Sequence, residues 1–441
     1  MWPYYPELLA RPVPRYTSFP TAAEFTAAVG EAQFGAALRR VSGDISLYIH
    51  IPFCKQICWY CGCNTSRTNK TERLTSYLDA LHREIALVAA QLGADSDGPV
   101  RVRRIAFGGG SPNAIAPLDF VRLVDALTVR LPLHDPVLSI ELDPRTLPAD
   151  WGPVLRCVGV TRASLGVQTF APHLQAAIGR VQPEEDIIRG AELLRTAGVT
   201  SLNYDLMYGL AGQTDEDLSD TLTRAAALGA DRIALFGYAH VPHLIARQKR
   251  IDARGLPDQA ARFRMAAQGW QQLTGAGYRP VGFDHFALPD DELAIAANTG
   301  GLRRNFHGFT EDPAPVTIGL GASAISAFPN LLVQNEKNAG RYRMLLSQDR
   351  LTGTHGVGRT AEDRELGAII EGLLCRNQSL VGADRLGRLQ AGLAPFRDRA
   401  LIDVAGDTLR ILPDGLPYAR TITALFDPYR QDSSRRFSSA V

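Results

Sequence analysis

The placement of the cysteines is the feature that most restricts what this chain can fold into and hold. Four of the six cysteines fall within ten residues, at Cys54, Cys58, Cys61 and Cys63. The apolar run Leu47–Phe53 precedes them and reads as a strand that Pro52 ends. The thiols are therefore expected on a loop at the C-terminal end of a strand, where parallel α/β folds place their chemistry. Such crowding indicates a metal group rather than packing.

The spacing C-x3-C-x2-C supplies three thiolates that could hold three corners of a 4Fe-4S cluster. The fourth iron would then be open to a small chelating ligand. A structural zinc site is the alternative, and it would use all four thiols, including Cys63. A disulfide is less expected, because the chain shows no secretory signal. Tyr60, inside the loop, could pack against the domain or cover a flat adenine.

Length and composition restrict the class of protein. The 441 residues, 45% hydrophobic and 21% charged, suffice for one large domain and a smaller one. The 47 basic and 46 acidic residues nearly balance, so neither nucleic acid nor a membrane surface is an expected partner. No apolar run approaches the roughly 20 residues that span a bilayer. We expect a cytoplasmic protein, because free clustered thiols suit a reducing compartment.

Strand-like and helix-like runs alternate over the first half of the chain. Amphipathic stretches such as 74–92 and 187–197 separate short runs rich in β-branched and large apolar residues. This alternation predicts a parallel sheet. Six units are too few for a closed eight-stranded barrel, so an α/β partial (βα)6 barrel is favoured over a doubly wound sheet. The strand candidates span residues 46–51, 102–107, 138–142, 162–167, 201–207 and 232–236.

Three segments are predicted around this repeat. Residues 1–44 form an N-terminal arm in which prolines bracket the extended stretch Pro14–Thr21. Residues 45–335 form the partial barrel with an extension, and residues 336–441 form a mainly helical C-terminal domain that covers the barrel opening. The clearest elements outside the repeat are helices at 259–275 and 362–374 and strands near 317–326 and 408–412.

Tyr48–Cys54 together with Cys61-Gly62-Cys63 resembles the signature of the radical S-adenosylmethionine enzymes, and among them the oxygen-independent coproporphyrinogen III oxidases. The resemblance runs from Pro14 to Ile325, and more loosely to residues 426–429. It implies the partial barrel, a 4Fe-4S cluster on Cys54, Cys58 and Cys61, and two S-adenosylmethionine molecules. In that superfamily the open iron binds the amino and carboxylate groups of the cofactor.

Gly108–Pro112 follows the second strand, and its glycines let backbone amides come close to a ligand. One βα unit after the cysteine loop, this segment is similar to the one that binds the methionine part of S-adenosylmethionine. The family usually has threonine where Ser111 stands, and we expect the hydroxyl to keep the role. The resemblance assigns the first cofactor to Tyr48, Tyr60, Gly109, Gly110, Ser111, Glu141 and Ile325.

Glu141 ends the third predicted strand, where alternation sends it to the barrel interior with Ser139. A buried unpaired carboxylate is costly, which favours a functional partner. A salt bridge to Arg145 or Arg162 is the structural alternative.

Four further residues come from, or just after, different strand ends. Each alone is more often a structural residue, but their recurrence on successive units favours a site. The resemblance matches them to contacts with a second S-adenosylmethionine. They are Gln168, Arg180, Asp205 and Ala239.

Substrate contacts are predicted at three positions. Phe306 and His307 match a substrate-side loop, although the resembled enzymes have glutamine where His307 stands. Arg15, in the arm, suits bidentate pairing with a substrate carboxylate.

The resemblance implies an oxidoreductase of haem biosynthesis. It would oxidatively decarboxylate two propionates of coproporphyrinogen III to vinyl groups by a 5′-deoxyadenosyl radical mechanism and give protoporphyrinogen IX. An external low-potential electron donor is expected, because no flavin or nicotinamide fingerprint is visible. We expect a monomer. A haem-binding chaperone of the same superfamily is the alternative, and the arm and Gly62-Cys63 argue against it.

Overall fold

The computed structural model describes residues 2–430. Within them the chain forms a twelve-stranded sheet, three small sheets, and helices that pack against them. The strands are β1 (Gly43–Ile51), β2 (Phe53–Cys54), β3 (Ser66–Arg67), β4 (Val100–Gly109), β5 (Leu133–Leu142), β6 (Val160–Gln168), β7 (Ser201–Tyr208), β8 (Arg232–Gly237), β9 (Arg279–Val281), β10 (His285–Ala287), β11 (Arg303–Asn305), β12 (Gly308–Thr310), β13 (Val316–Leu320), β14 (Ile325–Phe328), β15 (Leu331–Asn335), β16 (Gly353–Gly358), β17 (Gln378–Leu380), β18 (Ile402–Ala405) and β19 (Thr408–Ile411). The α-helices are α1 (Glu31–Arg39), α2 (Thr71–Gln91), α3 (Pro117–Arg130), α4 (Trp151–Val158), α5 (Pro172–Ala177), α6 (Glu184–Ala197), α7 (Asp215–Ala227), α8 (Gln259–Gly275), α9 (Glu292–Thr299), α10 (Ala339–Ser347), α11 (Ala361–Arg376), α12 (Ala383–Arg388), α13 (Gln390–Arg397) and α14 (Ala419–Thr423).

The order of the main sheet confirms the partial barrel. It runs β16-β15-β14-β13-β1-β4-β5-β6-β7-β8-β10-β9. From β13 to β8 neighbouring strands are parallel, and the strands beyond them at both ends are antiparallel. The six predicted units, β1 and β4 to β8, lie side by side in chain order. In a doubly wound sheet, the order of the strands along the chain reverses at a switch point. These six strands show no such reversal, so that alternative is wrong.

Period-two alternation explains how the sheet serves both a core and a cavity. In β5, Leu138, Ile140 and Leu142 are buried in the apolar core shared with the helices. The alternate residues Ser139 and Glu141 line the space enclosed by the sheet. The sequence therefore places apolar side chains toward the helices and polar ones toward the interior.

The C-terminal region is helical, as predicted, but contains more strand than expected. Helix α11 and strand β19 confirm two predicted elements, and α8 coincides with the predicted helix at 259–275. Strands β17 and β18 were not predicted, and they flank β19 in an antiparallel sheet. Both are short, with three and four residues, which leaves little periodic signal. Strand β16 joins the main sheet, so residues 353–358 belong structurally with the barrel.

The N-terminal arm connects the two apolar cores. Leu9 and Phe19 are buried in the C-terminal core beside Leu373 of α11. The hydroxyl of Tyr16 donates to Asp427 at 3.0 Å, which ties the arm to the end of the described chain. Helix α1 packs against the barrel core instead, through Phe34 among others. The three-segment division stays a prediction, and its residues 431–441 lie outside the described part.

None of the helices between residues 2 and 430 is long and apolar enough to cross a membrane.

Candidate iron–sulfur and cofactor site

A cavity of about 520 Å³ lies where the parallel strands end. Its volume is in the range of small-molecule sites. The cysteine loop and the C-terminal ends of β4 to β8 contribute to its wall. Of the residues predicted for the site, it brings together Arg15, Cys54, Cys58, Tyr60, Cys61, Gly109, Gly110, Glu141, Gln168, Arg180, Asp205 and Ala239.

The three predicted thiols experience different surroundings. The Sγ atom of Cys58 accepts hydrogen bonds from Arg180 at 3.2 Å and Arg145 at 3.4 Å. A hydrogen bond from Cys63 is the main reason that the pKa of Cys61 is lowered to about 6. Burial raises the pKa of Cys54 to about 11. The neighbouring thiol thus favours the thiolate form of Cys61, while two guanidinium groups donate hydrogen bonds to the sulfur of Cys58.

The donor set fits an iron–sulfur cluster. Three thiols from one loop face a common cavity, and positively charged donors beside Cys58 would offset the charge of several thiolates. Across residues 2–430, no group of three or more His, Cys, Asp or Glu side chains is spaced to hold one metal ion. That finding concerns mononuclear sites, because the ligands of a cluster bind separate iron atoms.

Packing within the protein requires the glycines at the end of β4. Gly109 has φ = 115°, in a region that favours glycine. A Cβ atom at Gly110 would lie 2.4 Å from the carbonyl oxygen of Phe53. Ser111 is buried, and its hydroxyl donates to Oδ1 of Asn113. Ser111 does not line the cysteine cavity, so the structure separates this predicted cofactor residue from the others.

Glu141 and Asp205 form the acidic side of the cavity. Oε2 of Glu141 accepts a hydrogen bond from the backbone N–H of Gly109 at 3.2 Å. Burial and the neighbouring Asp205 raise the pKa of Glu141 to about 7. Burial also raises the pKa of Asp205, although Asn203 and Ser164 donate to it at 2.8 and 3.1 Å. Glu141 is exposed to this cavity and Asp205 is half-buried in its wall, so both carboxylates face open cavity space.

The salt-bridge alternative for Glu141 is wrong. Arg145 pairs with Asp143 at 2.6 Å, and Arg162 pairs with Glu292 and Glu311. Glu141 therefore keeps its carboxylate toward the cavity.

Asp143 and Arg145 are site residues that the sequence interpretation missed. Asp143 accepts from Arg145 and, at 3.2 Å, from Arg180. Arg180 also donates to the carbonyl oxygen of Gly166. Its Nε is buried and has no hydrogen-bond partner within residues 2–430. Asp143 and Arg145 immediately follow Glu141 at the end of β5, and this proximity was the available signal.

The backbone near the second predicted cofactor position is unusual. Gln168 has φ = 68°, which is uncommon for a residue with a side chain and is found at functional sites more often than elsewhere. Gln248, which was not predicted, donates through Nε2 to the carbonyl oxygens of Tyr60 at 2.9 Å and Ala239 at 3.1 Å. It thereby joins two predicted residues on opposite sides of the cavity.

Besides Ser111, four predicted residues lie away from the cysteine cavity. The rings of Tyr48 and His307 are tilted by 43° with their centroids 4.3 Å apart, and both residues line a second cavity, of about 230 Å³, inside the barrel. Phe306 lines a separate cleft beside the N-terminal arm. Ile325 begins β14, where it pairs with Gln334. The two barrel cavities share Glu141, Ser164, Asp205 and Phe236.

Comparisons with known proteins agree with this geometry. The family model of the radical SAM superfamily matches residues 48–225. Oxygen-independent coproporphyrinogen III oxidase of Bradyrhizobium diazoefficiens is 38% identical, with 97% of each chain covered. The protein of the same name from Paracoccus denitrificans is also 38% identical, over 96% of this chain and 95% of that one.

A solved structure extends the likeness to three dimensions. Coproporphyrinogen III oxidase from Escherichia coli, a radical SAM enzyme, matches with a TM-score of 0.90 and 34% identity. The match covers 97% of this chain and 99% of that chain. Full-length similarity at this level, with the thiols and strand-end residues in one cavity, leads to one conclusion. The chain belongs to the oxygen-independent coproporphyrinogen III oxidase family of the radical SAM superfamily.

Proposed function

We propose that this chain is an oxygen-independent coproporphyrinogen III oxidase. It converts two propionate side chains of coproporphyrinogen III to vinyl groups and gives protoporphyrinogen IX, with loss of one carbon dioxide, one hydrogen atom and one electron at each propionate. The observation that carries the proposal is the common cavity of Cys54, Cys58 and Cys61 with Glu141 and Asp205, in a chain whose full-length relatives bear this name.

The cofactors are those of the superfamily, a 4Fe-4S cluster and S-adenosylmethionine. When bound, they supply a one-electron reduction of a sulfonium and a 5′-deoxyadenosyl radical that removes a hydrogen atom from the propionate. Cys54, Cys58 and Cys61 would hold the cluster. Arg145 and Arg180 would stabilise its thiolate charge through Cys58.

The carboxylates are suited to bind the cofactor's amino group. Glu141 lies against the glycine turn, held by the N–H of Gly109, and Asp205 is held by Asn203 and Ser164. A cation placed between the two would favour their ionised forms, because each raises the cost of ionising the other.

A second S-adenosylmethionine is part of the proposal. The cavity of the three predicted thiols is also lined by Gln168, Arg180, Asp205 and Ala239. Its volume of about 520 Å³ is larger than one small polar group of a ligand requires. We place Phe306, His307 and Arg15 on the substrate side. Arg15 supports this best, because it lines the cysteine cavity while the other two do not.

We further propose an external low-potential electron donor, a monomer, and a location in the cytoplasm. The six free cysteines support a reducing compartment.

A haem-binding chaperone of the same superfamily is the rejected alternative. The relatives that match over nearly the whole chain are named as oxidases. The N-terminal arm, which argued against a chaperone in the sequence, packs into the C-terminal core and places Arg15 at the cavity.

The test is anaerobic reconstitution with iron and sulfide, followed by incubation with coproporphyrinogen III, S-adenosylmethionine and a chemical reductant. We expect protoporphyrinogen IX, carbon dioxide and 5′-deoxyadenosine, with two deoxyadenosines per product. An intact cluster that yields no protoporphyrinogen would reject the function. A ratio of one would reject the stoichiometry alone.

A further inference from the structure

A small cavity adjoins the cysteine cavity at the end of β8. It measures about 60 Å³ and shares Arg15, Gly237 and Ala239 with the larger space. We call it the arginine pocket, because among the described residues that line it charge is carried by Arg15, Arg262, Arg420 and Asp284. Its apolar wall consists of Trp2, Leu235, Ala266, Trp270, Phe283, Phe286, Leu416 and Pro417.

The three guanidinium groups come from three distant parts of the chain. Arg15 belongs to the N-terminal arm, Arg262 to α8 and Arg420 to α14. Arg15 donates to the carbonyl oxygen of Gly237 at 3.2 Å, which fixes it at the boundary between the cavities. The guanidinium carbon of Arg420 lies 5.4 Å from the ring centre of Phe283. Aromatic packing thus holds Arg420, and a backbone hydrogen bond holds Arg15, at the wall of the pocket.

Positive charge is concentrated here at an energetic cost. Burial, followed by repulsion from Arg15, lowers the pKa of Arg420 to about 10. Burial also lowers the pKa of Arg262, and Arg15 adds to the effect. Asp284, the acidic residue of the wall, contacts Nδ1 of His285 at 2.6 Å. Asp284 also offsets part of the charge of Arg15 and Arg420, and a ligand carboxylate in the pocket would bring a second negative charge to the guanidinium groups.

We infer that the arginine pocket binds a propionate carboxylate of the tetrapyrrole substrate, on an arm other than the one that reacts. This inference rests on the proposed function. The pocket has room for several water-sized groups, which suits a side arm and not a macrocycle. Its aromatic wall suits the methylene groups of the arm, and guanidinium forks suit the carboxylate. The ring would lie in the adjoining cysteine cavity.

The carboxylate of S-adenosylmethionine is the other source of this chemistry. Its ammonium group lies close to its carboxylate, and that cation would be repelled by Arg15, Arg262 and Arg420. Glu141 and Asp205, in the larger cavity, offer the negative charge that the amino group needs. The substrate arm therefore fits the arginine pocket better.

The test compares Arg262→Gln and Arg420→Gln with wild type. We expect KM for coproporphyrinogen III to rise about tenfold to a hundredfold in each, the effect of losing a charge-assisted hydrogen bond. The KM for S-adenosylmethionine should stay within about twofold. Arg254→Gln is the matched control, because that side chain is 91% exposed and pairs with Asp252. An unchanged substrate KM would overturn the inference, and a rise confined to the cofactor KM would assign the pocket to the cofactor instead.

Misfolding of a glutamine variant is addressed by a second measurement. In Arg262→Ala, added methylguanidinium should restore substrate turnover, while the thermal midpoint and the cofactor-induced change in the cluster's paramagnetic resonance report on folding. Absence of rescue in a folded variant would count against the pocket. If Arg262→Ala does not fold, Arg262→Lys decides: a substrate KM equal to that of wild type or a raised cofactor KM overturns the inference. Wild type that binds the cofactor but makes no protoporphyrinogen would instead indicate failure of the proposed function.

Discussion

The carboxylates at the two ends of the barrel interior have pKa values shifted in opposite directions. Toward the start of the strands, Glu311 pairs with Arg104 at 2.6 Å and with Arg162. These arginines, with Arg232, lower the pKa of Glu311 to about 2 against the effect of burial. At the strand ends, burial and mutual repulsion raise the pKa of Glu141 to about 7. Arginines of the protein neutralise Glu311 at the first end. Glu141, at the second end, faces the cavity, where a ligand cation could pair with it.

This difference shows how a parallel barrel separates stability from function. Ion pairs at the start of the strands neutralise charges within the protein, and the contact of Arg232 with Asp291 at 2.8 Å adds to them. Residues at the ends of the strands can keep costly arrangements because the rest of the fold is already stable.

The largest effect should come from the cluster thiols. Cys58→Ser removes a ligand that two arginines contact, so we expect loss of the 4Fe-4S signal and of at least about a thousandfold of activity. Cys63→Ser should retain the cluster, because three ligands suffice. Iron and sulfide analysis with Mössbauer spectroscopy measures both. Equal depletion of iron in the two variants would contradict the assignment.

The next largest effect should be on stability, at the closed end. Glu311→Gln leaves Arg104 and Arg162 without their shared carboxylate, so we expect a loss of about 3 kcal/mol in the free energy of unfolding. Because its folded pKa is depressed, the wild-type contribution should be present above pH 4.5 and fade as pH falls toward 2. Denaturant unfolding of the apoprotein at several pH values measures this. Unchanged stability would remove the contrast between the two ends.

Glu141→Gln should change the free energy of unfolding in the opposite direction. A raised carboxyl pKa means that the protonated form is favoured in the folded state, so stability is lost as pH rises from 4.5 through 7. The variant should therefore be more stable than wild type at pH 8, by about 1 kcal/mol after allowance for solvent in the cavity. Turnover should fall all the same, because the proposed contact with the cofactor would be lost. A variant less stable than wild type at pH 8 would argue against the strained carboxylate.

Arg145 allows a smaller and purely electronic test. Replacing it with lysine removes a hydrogen bond to the Cys58 thiolate, so the midpoint potential of the cluster should become more negative. One hydrogen bond of about 0.5–1.5 kcal/mol corresponds to roughly 20–60 mV for a one-electron couple. A redox titration followed by paramagnetic resonance measures the shift, with Arg103→Lys, whose side chain is 43% exposed, as control. A shift of equal size in the control would exclude the local explanation.

The smallest effect is expected at His307. Burial lowers its pKa to about 4, so the imidazole is neutral at pH 7 and resembles the glutamine of the family in hydrogen-bonding capacity. His307→Gln should change the KM for cofactor or substrate by less than about threefold. Steady-state kinetics at pH 7 measure this, and a larger change would contradict the prediction and indicate that the ring contact with Tyr48 positions a ligand.

Local sequence patterns correctly predicted the parallel strands of the barrel and helix α8. The strands around residues 46, 102, 138, 162, 201 and 232 and helix α8 appear where periodicity indicated. Short strands such as β17 escaped because three residues carry little periodic signal. Glu141 was placed correctly in the interior by alternation, but the partners of Arg145 and Arg162 were not, because several acidic residues were compatible with the sequence.

The sequence by itself predicted the thiol ligand set and determined the six βα units. Both are local features of the chain: the thiols lie within ten residues, and each βα unit is one continuous segment. Neither depends on how distant segments pack together. Only the tertiary structure decided which side chains face the cysteine cavity and that Arg15, Arg262 and Arg420 meet beside it. Those contacts join positions hundreds of residues apart, and they follow from how the arm, the barrel and the C-terminal region pack together.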